Sequence, residues 1–159
     1  MVRIGLQLKA NLENVTNLKA EGEDFRWYLM LKCMNCGEVT KQWVYMCLME
    51  SQPVKGGRGY AHFVSKCKLC HRENSVDIMK DSIHPYLASH NGKFHTIVSF
   101  DCRGVEPTDF SPRTGWTAEG ENTSTPFEVD LTEKDWSDYD EKAQNAVGVY
   151  GVTSQFIKL

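Results

Sequence analysis

Apolar and polar residues alternate along much of this chain. Ile4, Leu6, Leu8 and Ala10 fall on one side of residues 3–10, with Arg3, Gln7 and Lys9 on the other. That two-residue period predicts a half-buried strand. Phe25, Trp27, Leu29 and Leu31 alternate with Arg26, Tyr28, Met30 and Lys32 and run straight into Cys33. Residues 60–64 lead toward Cys67 in the same manner, and residues 76–79 follow Cys70. Phe94, Thr96, Val98 and Phe100 alternate with His95, Ile97, Ser99 and Asp101. Phe127, Val129 and Leu131 mark another short strand, and residues 147–157 a last one, with a kink expected near Gly148 or Gly151. The stretch from Trp43 to Met49 is apolar on both faces, which predicts a central strand.

Helical patterning is scarce. Tyr139, Ala143, Ala146 and Val147 share a helical face, and Ser137 or Asp138 has an acidic residue three positions on. This resembles a capping box and predicts one short helix. Turn residues separate the strands at Gly56-Gly57-Arg58-Gly59, Asn91-Gly92, Glu106-Pro107, Ser111-Pro112, Gly115 and Gly120. Many short strands with frequent turns predict an all-β fold, a β-sandwich with at most one short helix. No repeat or linker divides the sequence, so residues 1–159 are expected to form one domain.

Composition adds the setting. The chain is 41% hydrophobic and 25% charged, ordinary for a soluble globular protein. No apolar run approaches the roughly 18 residues needed to span a bilayer. The first residues alternate rather than forming an apolar block, Val2 excludes myristoylation, and Ile157-Lys158-Leu159 is no peroxisomal ending. A cytoplasmic protein with access to the nucleus, and no membrane association, is the expectation. Six cysteines in that setting point to metal or redox chemistry rather than a disulfide frame.

Four of the six form two C-x-x-C pairs: Cys33-Met34-Asn35-Cys36 and Cys67-Lys68-Leu69-Cys70, with 30 residues between. Two residues between thiolates make a tight turn that lets both sulfurs reach one tetrahedral ion at about 2.3 Å. Gly37 directly after Cys36 permits the left-handed backbone that closes such a turn. Two knuckles, each at the end of a strand, make a zinc-ribbon-like module over about residues 31–76, integrated into or extending from the sheet. The intervening 43–49 and 60–64 segments, joined by the glycine-rich turn, are expected to form a long hairpin that brings the pairs together. Cys33, Cys36, Cys67 and Cys70 would thus hold one Zn2+ with a full sulfur shell. With no position open for water, the site is expected to be structural. A redox C-x-x-C normally sits at a helix N-terminus, and both pairs here lie in β-rich sequence. Cys47 and Cys102 stand alone and are expected to be buried thiols.

No catalytic set emerges. His71-Arg72-Glu73 follows its C-x-x-C and no Pro-Cys pair comes later, unlike the zinc deaminases. His62, His84, His90 and His95 lack metalloprotease spacing, and no phosphate-binding loop is present. The acidic run from Asp135 to Glu141 lacks the glycine of a calcium loop and is expected to be a solvated turn. Charge is unevenly spread. Residues 53–80 carry six basic side chains against two acidic ones, and residues 117–141 carry nine acidic against one basic. Both can be solvated faces; alternatively the acidic segment docks on the basic one, or either meets a charged partner.

Trp27-Tyr28 leading to Lys32-Cys33-Met34-Asn35-Cys36-Gly37-Glu38 resembles the first signature of the eukaryotic CXXC-motif-containing zinc-binding proteins. Lys55-Gly56-Gly57-Arg58-Gly59, followed by Lys66-Cys67-Lys68-Leu69-Cys70 and Arg72-Glu73-Asn74, is similar to the second. Cys102-Arg103-Gly104 with Glu106-Pro107, and Asp135-Trp136 with Asp138-Tyr139-Asp140-Glu141-Lys142-Ala143, resemble its later blocks. The resemblance covers essentially the whole chain. It implies a small β-sandwich holding zinc through Cys33, Cys36, Cys67 and Cys70, and it implies no enzymatic activity.

The expectation is therefore a zinc-binding, non-enzymatic protein, an adaptor that meets a protein partner as a monomer. A metal-handling or thiol-redox protein that exchanges its ion with a metal-trafficking partner is the alternative, since full sulfur ligation also suits copper(I). A nucleic-acid-binding zinc ribbon is the third reading. Lys and Arg beside Tyr60 and Phe63 favour it, and the pI of about 5.9 argues against it.

Overall fold

The computed structural model describes residues 2–55 and 59–159. Fourteen strands appear among them: β1 Val2–Glu13, β2 Val15–Ala20, β3 Trp27–Cys33, β4 Val44–Met46, β5 Gln52–Pro53, β6 Tyr60–Ala61, β7 Phe63–Lys66, β8 Glu73–Ile78, β9 His95–Arg103, β10 Val105–Ser111, β11 Trp116–Gly120, β12 Pro126–Val129, β13 Trp136–Asp140 and β14 Asn145–Lys158. Among the described residues helical structure is confined to two single 3-10 turns, Lys80–Ser82 and Ala88–His90. No helix among the described residues is long and apolar enough to cross a membrane. The fold is all-β, as the two-residue period predicts.

A six-stranded antiparallel sheet runs in the order β13-β14-β1-β9-β8-β7. Its centre is β1, where Ile4, Leu6, Leu8 and Ala10 are buried as the alternation requires. The long β14 pairs along β1 and slips register between Lys9 and Asn11, where Gly151 takes φ +61°. The expected kink is thus a β-bulge at Gly151. Two three-stranded sheets, β10-β3-β4 and β12-β11-β2, complete the sandwich.

Trp27 joins all three sheets. From β3 it meets Phe100 of β9 edge-on at 6.2 Å and Trp116 of β11 at 6.2 Å, with Phe25 at 4.6 Å. Such edge-to-face pairs add about 0.5–1.5 kcal/mol each beyond the area they bury. The Trp116 indole N–H donates to the Pro112 carbonyl at 2.8 Å, so this buried ring leaves no polar atom unpaired.

Four sequence expectations need correction. Residues 139–147 form no helix; they are the end of β13, a turn, and the start of β14. Asp140, read as part of a cap, is buried, and its Oδ1 accepts the amides of Lys142 and Ala143 across that turn. Buried Val147 and Val149 then alternate as strand residues. The acidic run is accordingly mostly strand β13 rather than turn.

Residues 43–49 are not a central strand. Only Val44–Met46 pair, at the edge of their sheet, while Trp43 and Met49 are exposed. Nor do β4 and β7 form a hairpin. They end different sheets, and between them Gln52–Pro53 pairs with Tyr60–Ala61 as the one such pairing among the described residues. Gly56, Gly57 and Arg58 of that turn lie outside the described residues.

Among the described residues the acidic 117–141 stretch forms no ion pair with the basic 53–80 stretch. Its β13 and the basic stretch's β7 are the two opposite edges of the six-stranded sheet.

Candidate metal centre

The first knuckle grows from the end of β3. The Cys33 amide donates to the Glu38 carbonyl at 2.8 Å, and the Gly37 amide donates back to the Cys33 carbonyl at 2.8 Å. Gly37 has φ +81°. A Cβ there would meet no heavy atom within 4 Å, so the glycine serves the backbone angle and not a close contact. The second knuckle grows from the end of β7 with the same two bonds. The Cys67 amide donates to Arg72 at 2.9 Å, and the His71 amide to Cys67 at 2.9 Å. His71 occupies the position equivalent to Gly37 and takes φ +62°, a left-handed angle that costs a residue with a Cβ roughly 1–2 kcal/mol.

Each knuckle therefore lies within its own hairpin, one in each face of the sandwich. The cysteine pairs meet because the faces meet. The Sγ atoms of Cys33, Cys36, Cys67 and Cys70 all lie within 4.8 Å of one another. Cys33 Sγ is 3.7 Å from Cys70 Sγ, and Cys36 Sγ is 3.5 Å from Cys67 Sγ. Four sulfurs at about 2.3 Å around a tetrahedral ion are separated by about 3.8 Å. Both separations lie near that edge, far beyond the roughly 2.05 Å of a disulfide. All four are free thiols. The donor set fits a zinc ion.

Electrostatics within the cluster is uneven. Backbone amides of Cys36 and Asn35 point at the Cys33 sulfur and hold its thiol down to about 6. The Asn35 side chain, then the Arg72 amide, hold Cys70 below the usual thiol range. For Cys36, an amide at Glu38 favours the thiolate, but burial and the three neighbouring thiols outweigh it and push Cys36 up to about 12. Four sulfurs this close cannot all carry charge without a cation among them, which is the charge that a bound Zn2+ would supply.

Several supporting residues escape a reading by motif. Arg72 donates to Asn35 Oδ1 at 3.4 Å, so Asn35 ties the first knuckle to the second. The Met34 amide donates to the carbonyl of Gly104, in the turn between β9 and β10, at 2.8 Å. Buried Asn74 on β8, with its amide nitrogen turned to its neighbours, donates to the carbonyls of Gly104 at 3.3 Å and Glu73 at 3.2 Å. Gly104 has φ +77°, and a Cβ there would collide with Asn74. Partners this far apart in the chain leave no spacing signal; the only hint is that Asn35, Asn74 and Gly104 fall inside the blocks of the family resemblance.

The remaining candidates stay apart from this cluster. Cys47 and Cys102 are buried, at 2% and 1% exposure. Burial pushes Cys102 up to about 12, and burial together with Glu50, which accepts the Cys47 thiol at 3.0 Å, raises Cys47. His71 is exposed and contributes backbone rather than imidazole. His90 and His95 stack with ring centroids 3.6 Å apart, but no histidine joins the sulfur cluster.

Comparison with known proteins agrees with this geometry. The model of the family described as "CXXC motif containing zinc binding protein, eukaryotic" matches residues 5–157. This chain belongs to that family. A relative from Xenopus laevis named "CXXC motif containing zinc binding protein" is 58% identical over 159 residues, 99% of each chain. The crystal structure of C1orf123, also 58% identical, superposes with a TM-score of 0.96 over 99% of each chain. A hypothetical protein from Plasmodium falciparum gives a TM-score of 0.89 at 22% identity, a likeness of fold alone. Membership in a zinc-binding family and a cluster of four sulfurs within 4.8 Å of one another together make this a zinc-binding protein of all-β fold.

Proposed function

We propose that this family member is a non-enzymatic adaptor that holds one structural zinc ion through Cys33, Cys36, Cys67 and Cys70, the metal shaping a surface for a protein partner. The observation that carries the reading is the pair of tetrahedral-edge separations, 3.7 and 3.5 Å, among four thiols. Four thiolates complete the coordination of zinc and leave no site for an activated water. The ion would clamp one face of the sandwich to the other, since each face contributes two of the ligands. Exposed apolar side chains around the cluster support an interaction surface. Met34 and Leu69 at the knuckle tips are 50% and 63% exposed, with Val39 and Trp43 exposed close by in the chain.

The test is metal quantification of the purified protein by mass spectrometry, followed by chelation while folding is monitored. One tightly held zinc per chain, whose loss loosens the structure, is the expected result. Ready exchange without structural change, or stoichiometric copper, would sink the adaptor reading. That outcome is the one expected of a metal-handling protein, which one observation favours: Cys36 is exposed and Cys67 and Cys70 are half-buried, so a partner's thiols can reach three of the four sulfurs.

A further inference from the structure

The sandwich is open along one seam. On one side lies β4, the edge of its sheet; on the other lies β7, the edge of the six-stranded sheet. Ahead of β4, Val39 bridges to Lys32, and the Thr40 amide donates to Leu31 at 2.8 Å, so residues 39–46 form one edge interrupted at 41–43. Two cavities follow the seam. One of about 590 Å3 has Leu31, Val39, Val44, Phe63, Leu69 and Val105 in its lining, next to the Cys33 and Cys67 knuckle ends. One of about 290 Å3 continues it toward Met46 and His62, and both share Val44 and Phe63. The result is a single apolar groove that starts beside the metal cluster.

Its walls offer unpaired backbone. In the β7–β8 hairpin the Cys67 amide points inward to Arg72. Amides alternate sides along an antiparallel strand, so those of Val64 and Lys66 point away from β8. Among the described residues β7 has no strand partner on that side. The rim of the groove is basic near the metal cluster: Lys41, Lys66 and Lys68 line the larger cavity against Glu38, and Glu50 lines the smaller one farther along. Among the described residues none of these lysines forms an ion pair.

We infer that this groove receives an extended segment of a partner protein in which apolar and acidic side chains alternate. Adding a strand to β7 would satisfy the outward amides, and alternate side chains of an extended chain point to opposite faces. One set would then fill the floor beside Val44 and Phe63, and the other would reach the lysines. The chain's own acidic stretch is an unsuitable occupant, because β13 lies at the far edge of the six-stranded sheet. In a second copy of the chain, β13 laid on β7 makes a head-to-tail contact, which builds rings or filaments and not the two-fold dimer that is commonest among oligomers. A nucleic acid would meet a chain of net charge −3.

This inference rests on the adaptor reading and names its partner's chemistry. The experiment is selection of a displayed library of random 12-residue peptides on the zinc-loaded, full-length protein, counter-selected against Lys41→Glu/Lys66→Glu. Enriched peptides should alternate apolar and acidic residues, and the best should lose at least tenfold in affinity on that double variant. Val64→Pro removes one outward amide and should also cost at least tenfold, with backbone resonance shifts confined to residues 39–46 and 63–69 in the unmodified protein. Absence of enrichment over the double variant, or enriched peptides without acidic residues, overturns the proposal. So does a Val64→Pro variant that folds and binds equally well. Lysine-dependent self-association would assign the groove to a second copy, and displacement of peptide by a single-stranded oligonucleotide would assign it to nucleic acid. Zinc content of each preparation separates the two levels. One tight zinc with an unresponsive library sinks the groove alone, whereas freely exchanging metal sinks the adaptor reading whatever the library returns.

Discussion

Two knuckles with the same backbone bonds hang from different parts of this molecule. The first extends β3, which lies between β10 and β4 and buries Trp27, Leu29, Leu31 and Cys33 in the core. Its tip is braced by the Met34 amide on Gly104. The second extends β7, the edge strand of the larger sheet, whose Phe63, Val64 and Ser65 are only half-buried and whose Lys66 is exposed. Cys67 and Cys70 are likewise half-buried, whereas Cys33 is 4% exposed. The knuckle's shape therefore comes from four residues and two hydrogen bonds, while its rigidity comes from what carries it. The core is therefore expected to organise the first half of the zinc site without metal, and the second half to gain most of its order from the ion.

The sharpest way to break that comparison is to remove one sulfur from each side. Cys33→Ser and Cys70→Ser should both lose zinc, read as metal per chain by mass spectrometry, because three ligands no longer close the shell. Cys33→Ser should lose a further ~1–3 kcal/mol in denaturant unfolding, since it puts a shorter and more polar side chain into a buried site shaped around the sulfur. Equal unfolding free energies for the two variants would contradict the difference in anchoring. Next in size is removal of the metal itself. With a chelator present, amides of residues 64–73 should exchange hydrogen at least tenfold faster relative to the zinc form than those of residues 31–38, while β1 and β9 stay protected. Equal acceleration in both knuckles would mean that the core does not support the first.

The same contrast explains what the sequence made legible. The cysteines could be read because zinc chemistry imposes a spacing, and Gly37 because a left-handed turn favours glycine. Strands with one buried face could be read because their period is two. What escaped was set by packing between distant elements. Residues 43–49 are apolar on both faces, as a central strand is, yet Trp43 and Met49 are exposed and Val44 lines the open seam. Apolar content marks contact, and cannot say whether the contact is inside the fold or at a groove. The helix expected near Tyr139 failed for a related reason: Asp140 caps a turn as readily as a helix, and Val147 and Val149 belong to the buried face of β14. His71 was readable as exposed but not as strained, since nothing in its neighbours signals a positive φ. Asn74 and Gly104 meet only because β8 and β9 pair beside the first knuckle.

The smallest effects come from the one position where the knuckles differ in residue but not in geometry. Gly37→Ala puts a Cβ on a backbone at φ +81° and should cost about 1 kcal/mol or slightly more, with no steric contribution because the space around it is open. His71→Gly does the reverse. It relieves roughly 1–2 kcal/mol of left-handed strain and returns about 0.5–1 kcal/mol as lost backbone entropy. The net is a gain between about zero and ~1.5 kcal/mol in the unfolding free energy of the zinc-loaded protein, with zinc content unchanged. Opposite signs at Gly37 and His71 would show that both knuckles require the same left-handed residue. A loss of stability in His71→Gly would mean instead that the imidazole makes a contribution larger than the strain it accepts, and that the second knuckle is not a strained copy of the first.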